Sequence, residues 1–444
     1  MKGIAIGFII LFLLPLQGIF SQEKQANYGN VPDDWFPYDK YRKAYEYFFL
    51  TPTQFYGPGR DLKPPKDLKE VRIGFLGPLS GSELVPLGKQ MLQGATLAIE
   101  QANKKGGYHG LPYKLMIHND VGPWGAAANE VVKMDDEKVW AWIGSIDDIV
   151  SHVAIRATLK LEIPMVCPGD PDPTFTETNI PWVVRVIPDD RQSGYYLANY
   201  IFKIKGHSRV AVIRTNGRYG RVGILHFTHS AIRLGSPLVI EERFNNGETD
   251  FSEQLKHIKD ISPDAIVIWG NAKESALILK QIRALGMKQD VFCSDRMVNP
   301  EFLKIAGADA NGVVSTCQYN PSSNNPKWLA FKAAYLKRFG QEPDVFAAHA
   351  FDGMNIIIAA IEKAGPNRVL IRDLLTDMKT FQGYEGVTGK IKFDATWNNI
   401  RPIFMAEIKN GNFVFSPTPP LEKVRKSENK NVSAEQLKDK DSGY

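Results

Sequence analysis

Val71–Leu76 (VRIGFL) is a six-residue, mostly apolar run. A Pro/Ser/Gly loop follows it, and then an amphipathic stretch across Gly88–Asn103 that Gly106–Gly107 ends. A short apolar strand feeding a helix through a glycine-rich turn is the first unit of a βα series. The unit recurs. Lys114–His118 is predicted as strand and Gly125–Met134 as helix, Trp140–Ile143 as strand and Ile149–Leu159 as helix, and Pro164–Cys167 as strand. Apolar strands alternating with helices imply a parallel sheet covered on both faces.

A second series starts after Val183–Val186. Its predicted strands are Arg209–Arg214, Val239–Arg243, Ala265–Trp269, Val291–Cys293 and Gly312–Thr316. Its predicted helices lie near Ser193–Lys203, Val222–Leu234, Phe251–Lys259, Lys273–Leu285 and Pro300–Ile305. Two helices, Pro326–Phe339 and Phe346–Lys363, and a β-rich end over Tyr384–Phe415 complete the ordered chain. The expected architecture is α/β, with two Rossmann-like lobes in tandem. The first takes residues 71–187 and about 320–385, the second 188–319 and about 386–416. Ligands of open α/β sheets sit beyond the carboxyl ends of the strands, so two facing lobes enclose a cleft suited to a small molecule.

The flanks are different in kind. Met1–Gln22 carries Lys2, an apolar core over Ile4–Leu16 and small residues at Gly18 and Ser21, the pattern of a secretory signal peptide over residues 1–21. Its 13-residue core falls short of the roughly 20 residues that span a bilayer. No cysteine near the cleavage point offers a lipid anchor, and no later stretch approaches a spanning length, so an exported, soluble, periplasmic protein is expected. Residues 22–70 form an arm rich in aromatics and proline, from Tyr28, Trp35 and Phe36 to Phe55 and Tyr56. It reads either as a wrap on its own domain or as a docking arm for a partner. Residues 417–444 are charged and nearly free of large apolar side chains, the composition of a disordered tail.

Composition narrows the function. The 444 residues are 43% hydrophobic and 23% charged, as in ordinary globular proteins. The balance of 54 basic and 49 acidic residues is too thin to imply nucleic-acid binding. No dinucleotide loop, phosphate loop, HExxH or serine elbow is present. His226 and His229 lie three apart on a predicted helix without a third ligand nearby, and surface positions are expected for both. Cys167, Cys293 and Cys317 fall at strand ends, where packing is the usual role. A Cys293–Cys317 disulfide stays open in an oxidising compartment.

Several stretches, in order, resemble the type I periplasmic binding proteins, in the leucine/isoleucine/valine-binding branch that feeds ABC importers. They are Val71–Gly81 (VRIGFLGPLSG), Gly94–Gly107 (GATLAIEQANKKGG), Trp142–Pro168 (WIGS to IPMVCP), Tyr219–Gly220, Asp250–Phe251, Asp264–Gly270, Ile282–Gly286 (IRALG), Phe351–Gly353 and Gly389–Asp394 (GKIKFD). The resemblance implies two lobes joined by a multi-strand hinge, closure on a ligand, no cofactor, no catalytic step, an inner-membrane ABC permease as partner and a monomer.

The resemblance also implies site positions. Where the family has a serine-rich turn, this chain has Asp147–Asp148–Ile149. Where it has an Ala/Thr loop, the chain has Gly169–Asp170–Pro171–Asp172. Asp295 matches the acid that holds an ammonium, Asn271 replaces a tyrosine, Tyr219 and Phe346 match apolar walls, and Trp269 sits beside them. Ionised aspartates only accept hydrogen bonds, so they cannot replace donors to a ligand carboxylate. The expected ligand is therefore small and polar: an amine, amide or amino-acid-like molecule, with a cation favoured. A metal ion on Asp148, Asp170 and Asp295 is the second possibility. Asp147 and Asp172 are equally suited to capping the helices that follow them. The rival functions are a ligand-sensing module for a membrane receptor and a periplasmic metal-binding protein.

Overall fold

The computed structural model describes residues 53–121, 125–377 and 383–419. The stretch read as a signal peptide, the first part of the arm and nearly all of the tail lie outside these.

Five strands make the first sheet: β1 (Val71–Gly77), β2 (Tyr113–Asn119), β3 (Ala141–Ile143), β4 (Met165–Cys167) and β5 (Val183–Arg185). They run parallel in the order β2-β1-β3-β4-β5, with Ile73 opposite Leu115 and Ala141, and Val166 opposite Val184. Each crossover is a helix: α1 (Val85–Lys104), α2 (Ala126–Asp136), α3 (Asp148–Leu161) and the short α4 (Pro173–Glu177). The long helices have one apolar stripe and one polar face, so each lies on the sheet rather than through it.

The second sheet contains β6 (Val210–Thr215), β7 (Ile240–Phe244), β8 (Ala265–Trp269), β9 (Asp290–Cys293), β10 (Val314–Cys317), β13 (Phe404–Lys409) and β14 (Asn412–Pro417) in the order β14-β13-β10-β9-β8-β6-β7. The pairs among β6 to β10 are parallel, and β13 and β14 add an antiparallel edge. Its helices are α5 (Asp190–Asn199), α6 (Arg218–Arg233), α7 (Ser252–Ile261), α8 (Ala272–Ala284) and α9 (Pro300–Ala306).

The chain then returns to the first lobe for α10 (Pro326–Phe339), α11 (Val345–Ala364) and α12 (Arg368–Thr376), followed by the small hairpin of β11 (Tyr384–Glu385) and β12 (Lys390–Ile391). Among the described residues α11 alone is long and apolar enough to cross a membrane. It is instead a core helix packed along α1, where a Cβ on Gly94 would stand 2.1 Å from the carbonyl oxygen of Ala347. Only glycine permits that approach.

Two details differ from the sequence reading. The helices α4 and α12 sit in stretches to which the sequence pattern assigns no element, each started by a side-chain cap, Asp172 and Asn367. Residues 386–400, expected in the second lobe, bury Val387, Ile391, Phe393 and Trp397 in the first lobe's core. The crossing falls after Asn399, between that core and β13.

Three passages therefore join the lobes: β5 to α5, β10 to α10, and Asn399 to β13. Arg185, fully buried, ties two of them. It donates to Asn398 Oδ1 (2.8 Å), to the carbonyls of Asp170 (3.4 Å) and Asp172, and to Asp189 Oδ2 (3.3 Å). Gln192 Nε2 reaches the Asn399 carbonyl at 2.9 Å.

The described part of the arm is held to the first lobe. Phe55 meets Trp182 edge-on at 5.0 Å, and the guanidinium groups of Arg60 and Arg372 lie 5.7 and 5.6 Å from its ring. Arg60 forks onto Asp373 at 2.9 and 3.1 Å, and Asn367 Nδ2 donates to the carbonyls of Gly59 and Leu62. Trp182 precedes β5, so this clasp lies at the amino end of the sheet.

Candidate functional site

The loops at the carboxyl ends of both sheets face each other. From the first lobe come Glu83, Asp120, the turn at Asp147–Asp148 and the loop Gly169–Asp172. From the second come the start of α6, the turn after β8 and Ser294–Met297 after β9.

Asp147 and Asp148 are neighbours with opposite fates. Asp147 is the N-cap of α3, and its Oδ1 accepts from the backbone N–H groups of Ile149 and Val150, both at 2.9 Å. Asp148 enters the first helical turn and is 3% exposed, with no hydrogen-bond partner for Oδ1. Burial, then the Asp170 charge, pushes its carboxyl well above the ordinary range.

Asp170 and Asp172 divide in the same way. Asp170 Oδ1 accepts from the Asp172 N–H at 2.8 Å, which closes the loop. Its Oδ2 is buried without a partner, and burial, then Asp172, pushes its pKa up to about 6. Asp172 caps α4 through the Thr174 N–H (2.8 Å) and meets Arg218 Nε at 2.6 Å. Arg218 Nη2 adds a bond to Thr174 Oγ1 at 2.8 Å, and His152 anchors the other side through the Asp148 carbonyl (2.8 Å) and Thr174 Oγ1 (3.1 Å).

On the second lobe Tyr219 donates to Asp295 Oδ1 at 2.6 Å. Burial, then Asp295, holds the phenol far above its usual pKa, so it remains a donor. Arg296 lays its guanidinium 3.6 Å from the centre of the Tyr219 ring. Its Nη1 donates to Asn271 Oδ1 at 2.9 Å, and its Nη2 stands 4.0 Å from Asp148 Oδ1. Asn271 in turn donates to Glu83 Oε1 at 2.9 Å. The pairs Arg218–Asp172, Arg296–Asp148 and Asn271–Glu83 all cross the cleft, so the two lobes are closed on each other.

The geometry brings together Asp148, Asp170, Tyr219, Asn271 and Asp295 of the expected set. Asp147 serves as a cap. Trp269 stands behind Tyr219, ring centres 6.1 Å apart, packed against Gly223 in the second core. Phe346 is buried in the core of the first lobe. Four participants were missed: Glu83, Arg218, Asp190 and Arg296. Asp190 is 1% exposed at the start of α5, with Oδ1 unpartnered, and burial, then Asp295 and Asp148, raises its carboxyl well above the usual range. Arg218 and Arg296 directly adjoin Tyr219 and Asp295 in sequence, which was the available signal.

One further expectation fails, on His226, and two readings left open, the metal ion and the disulfide, are resolved. Among the described residues no three His, Cys, Asp or Glu side chains are placed to hold a metal ion, so Asp148, Asp170 and Asp295 do not form an oxygen cage. His226 is buried rather than at the surface, and burial drives its imidazole well below the usual pKa. The cysteines are buried free thiols; burial pushes Cys167 and Cys317 up to about 12, far from thiolate chemistry.

Two parallel-sheet lobes, three connecting passages and a polar cleft at the strand ends define a two-lobed binding protein that closes on a small solute. The family model described as periplasmic binding protein matches residues 70–412, and the chain belongs to that family. It is 28% identical over 348 residues to the Leu/Ile/Val-binding protein homolog 2 of Brucella abortus, covering 77% of this chain and 91% of that one. The structure of the branched-chain amino acid transporter substrate-binding protein LivJ of Streptococcus pneumoniae, in complex with isoleucine, superposes with a TM-score of 0.72 at 26% identity, over 79% of this chain and 100% of the other. The leucine-binding protein LivK of Thermotoga maritima gives 0.71 at 27% identity, over 78% and 97%.

Proposed function

We propose that this chain is an exported solute-binding protein that captures a small organic cation between its lobes and delivers it to an ABC importer in the inner membrane. Export and delivery rest on the family. The ligand class rests on one observation: the buried oxygens Asp148 Oδ1, Asp170 Oδ2 and Asp190 Oδ1 have no hydrogen-bond partners. Buried carboxylates without partners are costly, and opposite charge with N–H donors is what relieves them. A ligand amine, amidine or guanidine supplies both. A neutral-side-chain amino acid, the ligand named for the relatives, would face these acids with its own carboxylate.

Work in this reading is conformational. The ligand binds the closed form better and raises its population, and the closed form is what a permease recognises. No step of bond chemistry is required. A sensory role uses the same cleft and differs only in the membrane partner.

The test is a melting-temperature screen of the purified protein with amines, amidines, guanidines, amides and branched-chain amino acids. A ligand that binds only the folded state raises the midpoint by mass action. Stabilisation by a cation, lost in Asp148→Asn, is expected. Stabilisation by leucine or isoleucine alone, unaffected by Asp148→Asn, overturns the cation reading.

A further inference from the structure

We infer that the Arg296 side chain occupies the seat of the ligand's charged group, and that this group is a planar, delocalised cation of the guanidinium or amidinium class that exchanges places with it. The inference rests on the organic-cation reading above and names the kind of cation.

Four features build the seat. Its floor is the Tyr219 ring, over which Arg296 stacks at 3.6 Å. That ring is fixed by the hydroxyl's bond to Asp295 Oδ1 at 2.6 Å. One edge is Asn271 Oδ1, turned toward Arg296 because the amide nitrogen is committed to Glu83. The remaining acids are Asp148, 4.0 Å from Arg296 Nη2, and Asp190, close enough for its charge to act on both Tyr219 and Arg296; each is at least nine-tenths buried with Oδ1 unpartnered.

Stacking selects a flat cation. A guanidinium lies face-on against an aromatic ring and still projects its N–H donors sideways, whereas an ammonium is a compact point charge whose donors point in three directions. Arg296 satisfies the floor and one edge, yet its Nη2 stops 4.0 Å from Asp148 Oδ1, beyond hydrogen-bond reach. With Nη1 spent on Asn271, the fork leaves Asp148 Oδ1 and Asp190 Oδ1 without a hydrogen bond. A free guanidinium or amidinium on the same ring can turn its donors to those two oxygens as charge-assisted bonds. The chain thus holds in its cleft a stand-in that fits the ring better than it fits the acids.

The experiment empties the seat. Arg296→Ala is titrated with methylguanidinium chloride and, at matched ionic strength, with methylammonium chloride, by calorimetry and by melting temperature. Methylguanidinium should bind the variant at least about tenfold more tightly than methylammonium does, and at least about tenfold more tightly than it binds the wild type, whose seat is filled. Replacing Tyr219 by Leu in the same background should abolish the preference. If Arg296→Ala does not fold, Arg296→Gln, which keeps a polar contact for Asn271, carries the same comparison. Equal response of the variants to both cations, or to neither, overturns the inference. If the wild type still binds an organic cation in an Asp148-dependent way, only the planar seat has failed. If no cation of any shape stabilises wild type or variants, the organic-cation reading falls with it.

Discussion

The hinge and the cleft both bury charge, and they treat it in opposite ways. At the hinge, Arg185 is wrapped by Asn398, Asp189 and two carbonyls, and Asp189 also caps α5 through the Gln192 N–H at 3.0 Å. In the cleft, Asp148, Asp170 and Asp190 are as deeply buried but each keeps an unpartnered oxygen. Matched buried charge is scaffold, because removing one partner strands the other. Unmatched buried charge lowers the stability of the empty protein and stores affinity for whatever matches it.

That contrast can be broken or sharpened by substitution. The largest expected effect is at the hinge: Arg185→Met should lower unfolding free energy by about 3–5 kcal/mol, read as a shifted urea midpoint. Asp148→Asn should do the reverse. It puts a neutral amide where burial already disfavours the charged carboxyl, and Arg296 keeps its bond to Asn271, so the ligand-free protein should melt no lower than the wild type while cation affinity drops at least about tenfold. A loss of stability in Asp148→Asn comparable with that of Arg185→Met would erase the distinction.

The third effect is a pH dependence. Asp170, with its pKa up at about 6 from burial and Asp172, is faced by Asp148, Asp172, His152 and Arg185. A bound cation favours its ionised form, so the complex holds fewer protons than the free protein. Affinity for a cation should therefore rise with pH, by about tenfold per unit below 6 for one proton released, and flatten above it unless Asp148 and Asp190 extend the rise. Calorimetry in buffers of different ionisation enthalpy reads the proton directly. Uptake instead of release would contradict the assignment.

The smallest effect is at Asp147. Replacing it by Ala should cost about 1 kcal/mol through the lost cap of α3 and leave cation affinity unchanged. Equal affinity with reduced stability would separate the cap from the ligand-facing acid one residue away.

The alternation of strands and helices was legible because each element repeats a pattern within its own span: VRIGFL and the stripe over Gly88–Asn103 need no partner to be read. Asp147 and Asp148 mark where that stops. Both are acidic and both stand at the start of α3; only the helical frame, which puts one at the cap and the next inside the first turn, tells them apart. Asp190 was invisible for a similar reason. It lies at a hinge passage; its proximity to Asp295 exists only once the second lobe has folded, and its proximity to Asp148 only once that lobe has closed over the first. Helix α4 was hidden because one turn begun by Asp172 and Pro173 carries no periodicity.

The arm's clasp sets a mechanical frame. Phe55 is held by Arg60 and Arg372 against Trp182 at the amino end of the first sheet, the side of the first lobe away from the cleft. Opening and closing then displace the second lobe against a half that already includes this part of the arm. A load applied at Thr53 would be met first by Arg372, which holds the Thr53 carbonyl, and by the Arg60–Asp373 fork, before it reached any of the three passages.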